Sequence, residues 1–159
     1  MSLTDDDIRR LLALKSEGPN LDYKAGFEWS KPNRDLKYEL VRDLIALANT
    51  KDGGRVVFGV RDADREFVGV SAEIFESIDP TDVVGMLHDN AAPKAGCAIY
   101  KRQIDGKRVV VFDVAEFRGY ADHLLERRQQ PRWEQADHTA TRRHLHSHRR
   151  GCYRRDLGA

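Results

Sequence analysis

A cluster of charge that could meet a ligand lies in Lys101-Arg102-Gln103-Ile104-Asp105-Gly106-Lys107-Arg108, four cations and one anion around a tight turn. Cations in such a cluster neutralise phosphates and release counterions from a nucleic acid. The same charges on a solvated hairpin would instead guard a sheet edge against pairing with another chain. A second basic set, Lys51, Arg55, Arg61 and Arg65, surrounds the turn at Gly53-Gly54, with Arg55 and Arg61 flanking an apolar run. His144, His146, His148 and Cys152 carry donor atoms that suit zinc or nickel, but nothing around them would orient them. Trp29 could stack a base or pack over its own loop. Cys97 reads as a small core residue, and His88 as a helix-end residue rather than a base. The chain contains no G-x-x-x-x-G-K-[ST] loop, and residues 49–54 are too short to cradle phosphates in that manner, which excludes P-loop nucleotide hydrolysis.

The elements that must position these residues follow from spacing. Thr4 as N-cap with Asp7 three residues on starts a helix whose apolar positions include Ile8, Leu11 and Leu12, and Gly18-Pro19 stops it. Leu21, Tyr23 and Ala25 alternate with Asp22, Lys24 and Gly26, the period of a half-buried strand. Pro32-Asn33 opens a second helix with a broad apolar face, Leu36 through Ala48. The run Arg55 to Val60 reads as a strand covered on both faces. Asp62 to Arg65 is a polar turn, from which Glu66 to Val70 should return as a partner strand. Asp79-Pro80 starts a third helix, to about His88 or Asn90. Asp105-Gly106 joins the strands Ala98 to Ile104 and Lys107 to Val114 into a hairpin. The order is α-β-α-β-β-α-β-β, an α+β fold with a single mixed sheet.

Composition divides the 159 residues in two. Residues 1–116 carry 17 Lys+Arg against 21 Asp+Glu and hold all eight lysines. Residues 117–159 carry 10 Arg against 5 acids, five of the six histidines, and no Val, Ile or Met. The expected organisation is a folded domain over 1–117 followed by an Arg/His-rich tail over 118–159. That tail is either disordered or non-native sequence from a shifted reading frame. No apolar run approaches the roughly 18 residues of a membrane span, and the acidic N-terminus leads into no signal-like stretch. Two cysteines make no disulfide framework. A cytoplasmic protein with no membrane partner is expected.

Three motifs carry a resemblance to a known family. Glu17-x-x-x-x-Asp22-Tyr23-Lys24 is similar to the acidic, aromatic, lysine signature that opens the Schlafen AlbA-like domain. Leu47-Ala48-Asn49-Thr50-Lys51-Asp52-Gly53-Gly54, followed by Arg55-Val56-Val57-Phe58-Gly59-Val60-Arg61-Asp62, resembles its central "A-N-T-x-G-G" and "F-G-V-x-D" motif. Val109 to Phe117 looks like its late strand. Asp22 stands where the family usually has Glu, and Lys51-Asp52 lengthens the turn.

The resemblance covers about residues 5–117. It implies a nucleic-acid-binding domain of the kind found in bacterial transcriptional regulators, with DNA or RNA as partner; a homodimer is a further possibility, and no cofactor is expected. By the same resemblance the cationic hairpin would be a basic arm offered to DNA. The alternative is a metal-dependent nuclease, since some Schlafen proteins carry a three-carboxylate ribonuclease core. Mapped residue by residue, its metal ligands would be Glu17, Asp22 and Asp62, with Lys24 stabilising phosphate charge and Mg²⁺ or Mn²⁺ as the ion. A third reading is a protein-interaction module of a larger regulator.

Overall fold

The computed structural model describes residues 2–117. The tail expected over 118–159, with His144, His146, His148 and Cys152, lies outside the described residues. Chain order is α1 (Asp5–Leu14), β1 (Leu21–Lys24), a 3-10 turn (Lys31–Asn33), α2 (Arg34–Ala48), β2 (Gly54–Phe58), α3 (Ala72–Ser77), α4 (Pro80–Asn90), β3 (Cys97–Ile104) and β4 (Lys107–Val114). The four strands form one sheet in the order β1-β2-β4-β3. β1 runs parallel to β2 with Asp22 opposite Val56, and the other two pairings are antiparallel. The expected α+β fold with a single mixed sheet is the one observed.

Local chemistry explains the elements. The Thr4 hydroxyl accepts from the Asp7 N–H at 3.2 Å and the Asp7 carboxylate accepts from the Thr4 N–H at 3.0 Å, a complete capping box. Asp5, Asp6 and Asp7 in that first turn also suit the positive end of the helix dipole. Alternation then sorts the sheet's side chains. Val56 and Phe58 of β2, with Val110, Phe112 and Val114 of β4, pack with Leu40, Leu44, Val83 and Leu87 of α2 and α4. Val57 of β2, with Val109 and Val111 of β4, packs with Ile8 of α1. Helices therefore cover both faces, which is why β2 and β4 read as nearly continuous apolar runs.

The glycine turn joins these layers, and its two glycines have different reasons. Gly53 sits at φ +70°, and a Cβ there would lie 2.1 Å from the Val114 carbonyl oxygen. Gly54 has an ordinary φ but no room: a Cβ would stand 2.5 Å from Leu47 Cδ2 and 2.9 Å from the Asn20 carbonyl oxygen. The Asn20 side-chain amide donates to the carbonyls of Lys51 and Gly53, closing the turn onto the start of β1. The late motif ties the other side. The Glu116 carboxylate accepts from the Asp52 N–H at 2.9 Å, and the Phe117 N–H donates to the Ala48 carbonyl at 2.7 Å.

The stretch after β2 differs from its sequence reading. Glu66 to Val70 makes two isolated bridges, Val60 to Phe67 and Val70 to Arg108, instead of a full strand. Positive φ at Gly59 (+112°), Arg65 (+57°) and Gly69 (+79°) breaks the ladder, and the Gly59 carbonyl takes both the Val68 and Gly69 N–H groups. A short helix, α3, follows, capped by the Ser71 hydroxyl accepting from the Ile74 N–H at 3.2 Å.

Candidate functional site

β1 and the loops at its ends position the three carboxylates singled out by sequence. Leu21 and Tyr23 point into the apolar layer under α1, so Asp22 and Lys24 point to the opposite face, where α2 packs. There Lys24 Nζ lies 3.0 Å from Asp22 Oδ2 and 2.9 Å from Asp43 Oδ2. Pro19, Leu47 and Thr50 complete a shallow groove of about 260 Å³ around the three charges. Burial raises the Asp22 carboxyl above its ordinary pKa, the Glu17 and Asp43 charges add to the rise, and Lys24 opposes it. For Lys24 burial works downward, but the two carboxylates outweigh it and the ammonium ends above its usual value. The two groups shift in the same direction for opposite reasons, and Lys24 stays charged.

Glu17, close enough to Asp22 to raise its pKa, shares a different cation with Asp62. One Glu17 oxygen accepts from the Tyr23 N–H at 3.2 Å, and the other is 2.9 Å from Arg65 Nη2. Arg65 Nη1 reaches Asp62 at 2.7 Å, so one guanidinium carries both acids. β1 and β2 are neighbours, as a shared site for Asp22 and Asp62 requires, yet the carboxylates divide between two ion-pair clusters, each neutralised by a basic side chain. Among the described residues no group of three possible metal ligands gathers. With each carboxylate already paired to a cation, Glu17, Asp22 and Asp62 do not fit a shared Mg²⁺ or Mn²⁺ site. Sequence reasoning misses Asp43, whose one signal is an acid inside the apolar run of α2.

The hairpin cations fall on both faces of the β3–β4 ribbon and are largely engaged. Lys101 Nζ donates to the Ile78 carbonyl at 3.1 Å and lies 4.7 Å from the Phe75 ring centre. Lys107 Nζ donates to the Phe67 carbonyl at 2.9 Å. Arg102 lies 3.7 Å from Asp5, and Asp105 at the tip lies 3.5 Å from Arg9. Two exposed ion pairs thus link the hairpin to α1. Arg108, exposed on β4, has no acidic partner among the described residues.

In the second basic set, Arg55 pairs with Asp113 at 3.0 Å, Arg61 with Asp64, and Arg65 with Glu17 and Asp62. Lys51 is exposed at the turn. Trp29 is only 7% exposed and packs in the core with Phe27 and Phe58, so it is no open stacking surface. His88 Nε2 lies 3.0 Å from the Ala95 carbonyl and fastens the end of α4 to the loop before β3. Cys97 is half-buried at the margin of the core, and burial pushes its thiol up to about 12.

Known proteins share parts of this chain. The family model described as Schlafen, AlbA_2 matches residues 17–151, most of the chain and part of the Arg/His-rich segment. No curated protein matches. Among solved structures, the DIP2311 protein from Corynebacterium diphtheriae is similar at 19% identity with a TM-score of 0.47, over 69% of this chain and 21% of that one. The chain thus spans about a fifth of that protein's length.

Proposed function

The chain belongs to the Schlafen AlbA_2 family, and from that premise we propose that it is the nucleic-acid-binding domain of a transcriptional regulator, that it binds DNA, and that it does not cleave it. The family supports the nucleic-acid connection. The observation that carries the choice of binding over cleavage is that each of the three carboxylates is committed to a cation: Glu17 and Asp62 to Arg65, Asp22 to Lys24. Oxygens held by ammonium and guanidinium groups are poor places for a divalent ion to displace charge and activate water. The β3–β4 hairpin supplies the surface, with exposed Arg102, Lys107 and Arg108 at one end of the sheet. A hydrogen-bonded ammonium or guanidinium is still a cation and still attracts phosphates. The folded part's excess of acids over bases works against strong indiscriminate binding and favours a localised one.

Replacing Lys101, Arg102, Lys107 and Arg108 together with Gln should weaken binding to a labelled DNA duplex. It should also flatten the log–log salt dependence by about one unit for each phosphate no longer neutralised. An unchanged slope would move the surface first to Lys51, Arg55, Arg61 and Arg65. Cleavage of the same duplex, or of RNA, in Mg²⁺ or Mn²⁺ that is abolished by Asp22→Asn would replace this reading with the nuclease.

A further inference from the structure

A cavity of about 880 Å³ lies between the start of α2 and one face of α4, away from the hairpin and from Glu17, Asp22 and Asp62. One wall carries Lys31, Arg34 and Lys37, and the other carries Asp82 and Asp89. Tyr38 stands beside the cations, 41% exposed, with the Arg34 guanidinium 5.5 Å from its ring centre. The Lys37 ammonium lies over the buried Trp29 ring, 4.7 Å from its centre, and both residues line the cavity.

We propose that this groove binds single-stranded nucleic acid, with phosphates on Lys31, Arg34 and Lys37, an unstacked base against Arg34 and Tyr38, and the base's amino edge toward Asp82 and Asp89. Three observations converge on that occupant. None of the three cations has an acidic partner among the described residues, whereas Arg55, Arg61, Arg65 and Arg102 all do. Arg34 and Lys37 meet aromatic rings instead, contacts that leave the positive charge unneutralised. They also crowd the first turns of α2, where the helix dipole disfavours cations, so helix stability does not account for them. The third observation is the pairing of an exposed tyrosine with a guanidinium. An aromatic ring and a guanidinium are each planes on which a base can stack, and such stacking accepts any base.

The acidic wall decides between ligand classes. A polyanion without hydrogen-bond donors would be repelled by Asp82 and Asp89. A nucleotide presents phosphate at one end and amino donors at the other, and cytosine's amino group is the usual donor to an acidic side chain. A duplex hides its bases from stacking, so an unpaired strand is the form that fits. This inference rests on the nucleic-acid binding proposed above but places the strand in a separate site.

The test is fluorescence anisotropy of a labelled hexamer of deoxycytidylate titrated with the full chain, beside a labelled duplex. Tyr38→Ala and Arg34→Gln are both exposed positions, and circular-dichroism melts of each should match the parent. Each is expected to weaken hexamer binding by about fivefold or more while leaving duplex binding within about twofold. The four-Gln hairpin variant should show the opposite pattern. Hexamer binding unchanged in both groove variants would overturn the inference while leaving nucleic-acid binding in place. Binding of neither hexamer nor duplex by the parent chain would overturn both. If instead the parent bound a labelled hexaglutamate peptide, Arg34→Gln abolished that binding, and the parent ignored the hexamer, the groove would belong to a protein partner and the inference would fall.

Discussion

Asp22 and Lys24 are legible as a same-face pair because strand alternation is a purely local rule. Asp43, their third member, is not, because it arrives from α2 by packing. The charge states of single residues give checkable outcomes. Burial beside Asp113 puts the Cys97 thiol at about 12. In a Cys152→Ser chain, alkylation of Cys97 at pH 8 should run about a thousandfold slower than in the unfolded chain, since the thiolate is the nucleophile. Alkylation at the unfolded rate would mean the strand carrying it opens freely. Asp64 is shifted the other way: the Arg61 guanidinium, then the Glu66 N–H, lower its carboxyl from 3.8 to about 2. A depressed carboxylate stabilises the turn above its unfolded pKa and loses that contribution as pH falls from about 4 through about 2. Titration of the Asp64 carboxyl carbon by NMR should show a midpoint near 2, moving back toward 3.8 in Arg61→Gln.

Helices α1, α2 and α4 and the β3–β4 hairpin can be read from caps, apolar period and the Asp-Gly turn. The return after β2 cannot. The pattern from Glu66 to Val70 alternates like a strand, but the positive φ at Gly59 and Gly69 that converts it to two bridges is a backbone property with no periodic signature. The glycine turn shows the same limit: two adjacent glycines in sequence, one required by φ and one by space. Gly53→Ala should therefore cost at least about 2 kcal/mol, lowering the thermal midpoint by about 8 °C or more. Gly85, inside α4 with open space around its Cβ position, is the control. Gly85→Ala should stabilise by about 0.5–1 kcal/mol through helix propensity. Equal effects from the two substitutions would contradict the packing of β2 and β4 around the turn.

Across the whole molecule, the charge asymmetry between residues 1–116 and 117–159 is plain in the composition, and the fold class is plain in the order of elements. What composition cannot give is which cations remain available. Most of the basic residues singled out by sequence are engaged in ion pairs or carbonyl contacts, while Lys31, Arg34 and Lys37, without acidic partners among the described residues, are hidden in sequence by a helix that reads as core. The domain is proposed to end at Phe117, whose N–H closes on the Ala48 carbonyl. A chain truncated after Phe117 should unfold cooperatively with a midpoint close to that of the full chain; a drop of several kcal/mol would move the boundary into the tail. The central claim is electrostatic binding of nucleic acid without cleavage. The most direct measurement is the affinity of the full chain for a labelled DNA duplex between about 50 and 200 mM salt, with Mn²⁺ present and strand integrity checked on the same samples. With about three or four phosphates neutralised, binding is expected to weaken by about 40- to 150-fold over that range, along a straight log–log line, with every strand recovered intact. Affinity that ignores salt, or strands cut in step with binding, would contradict the claim.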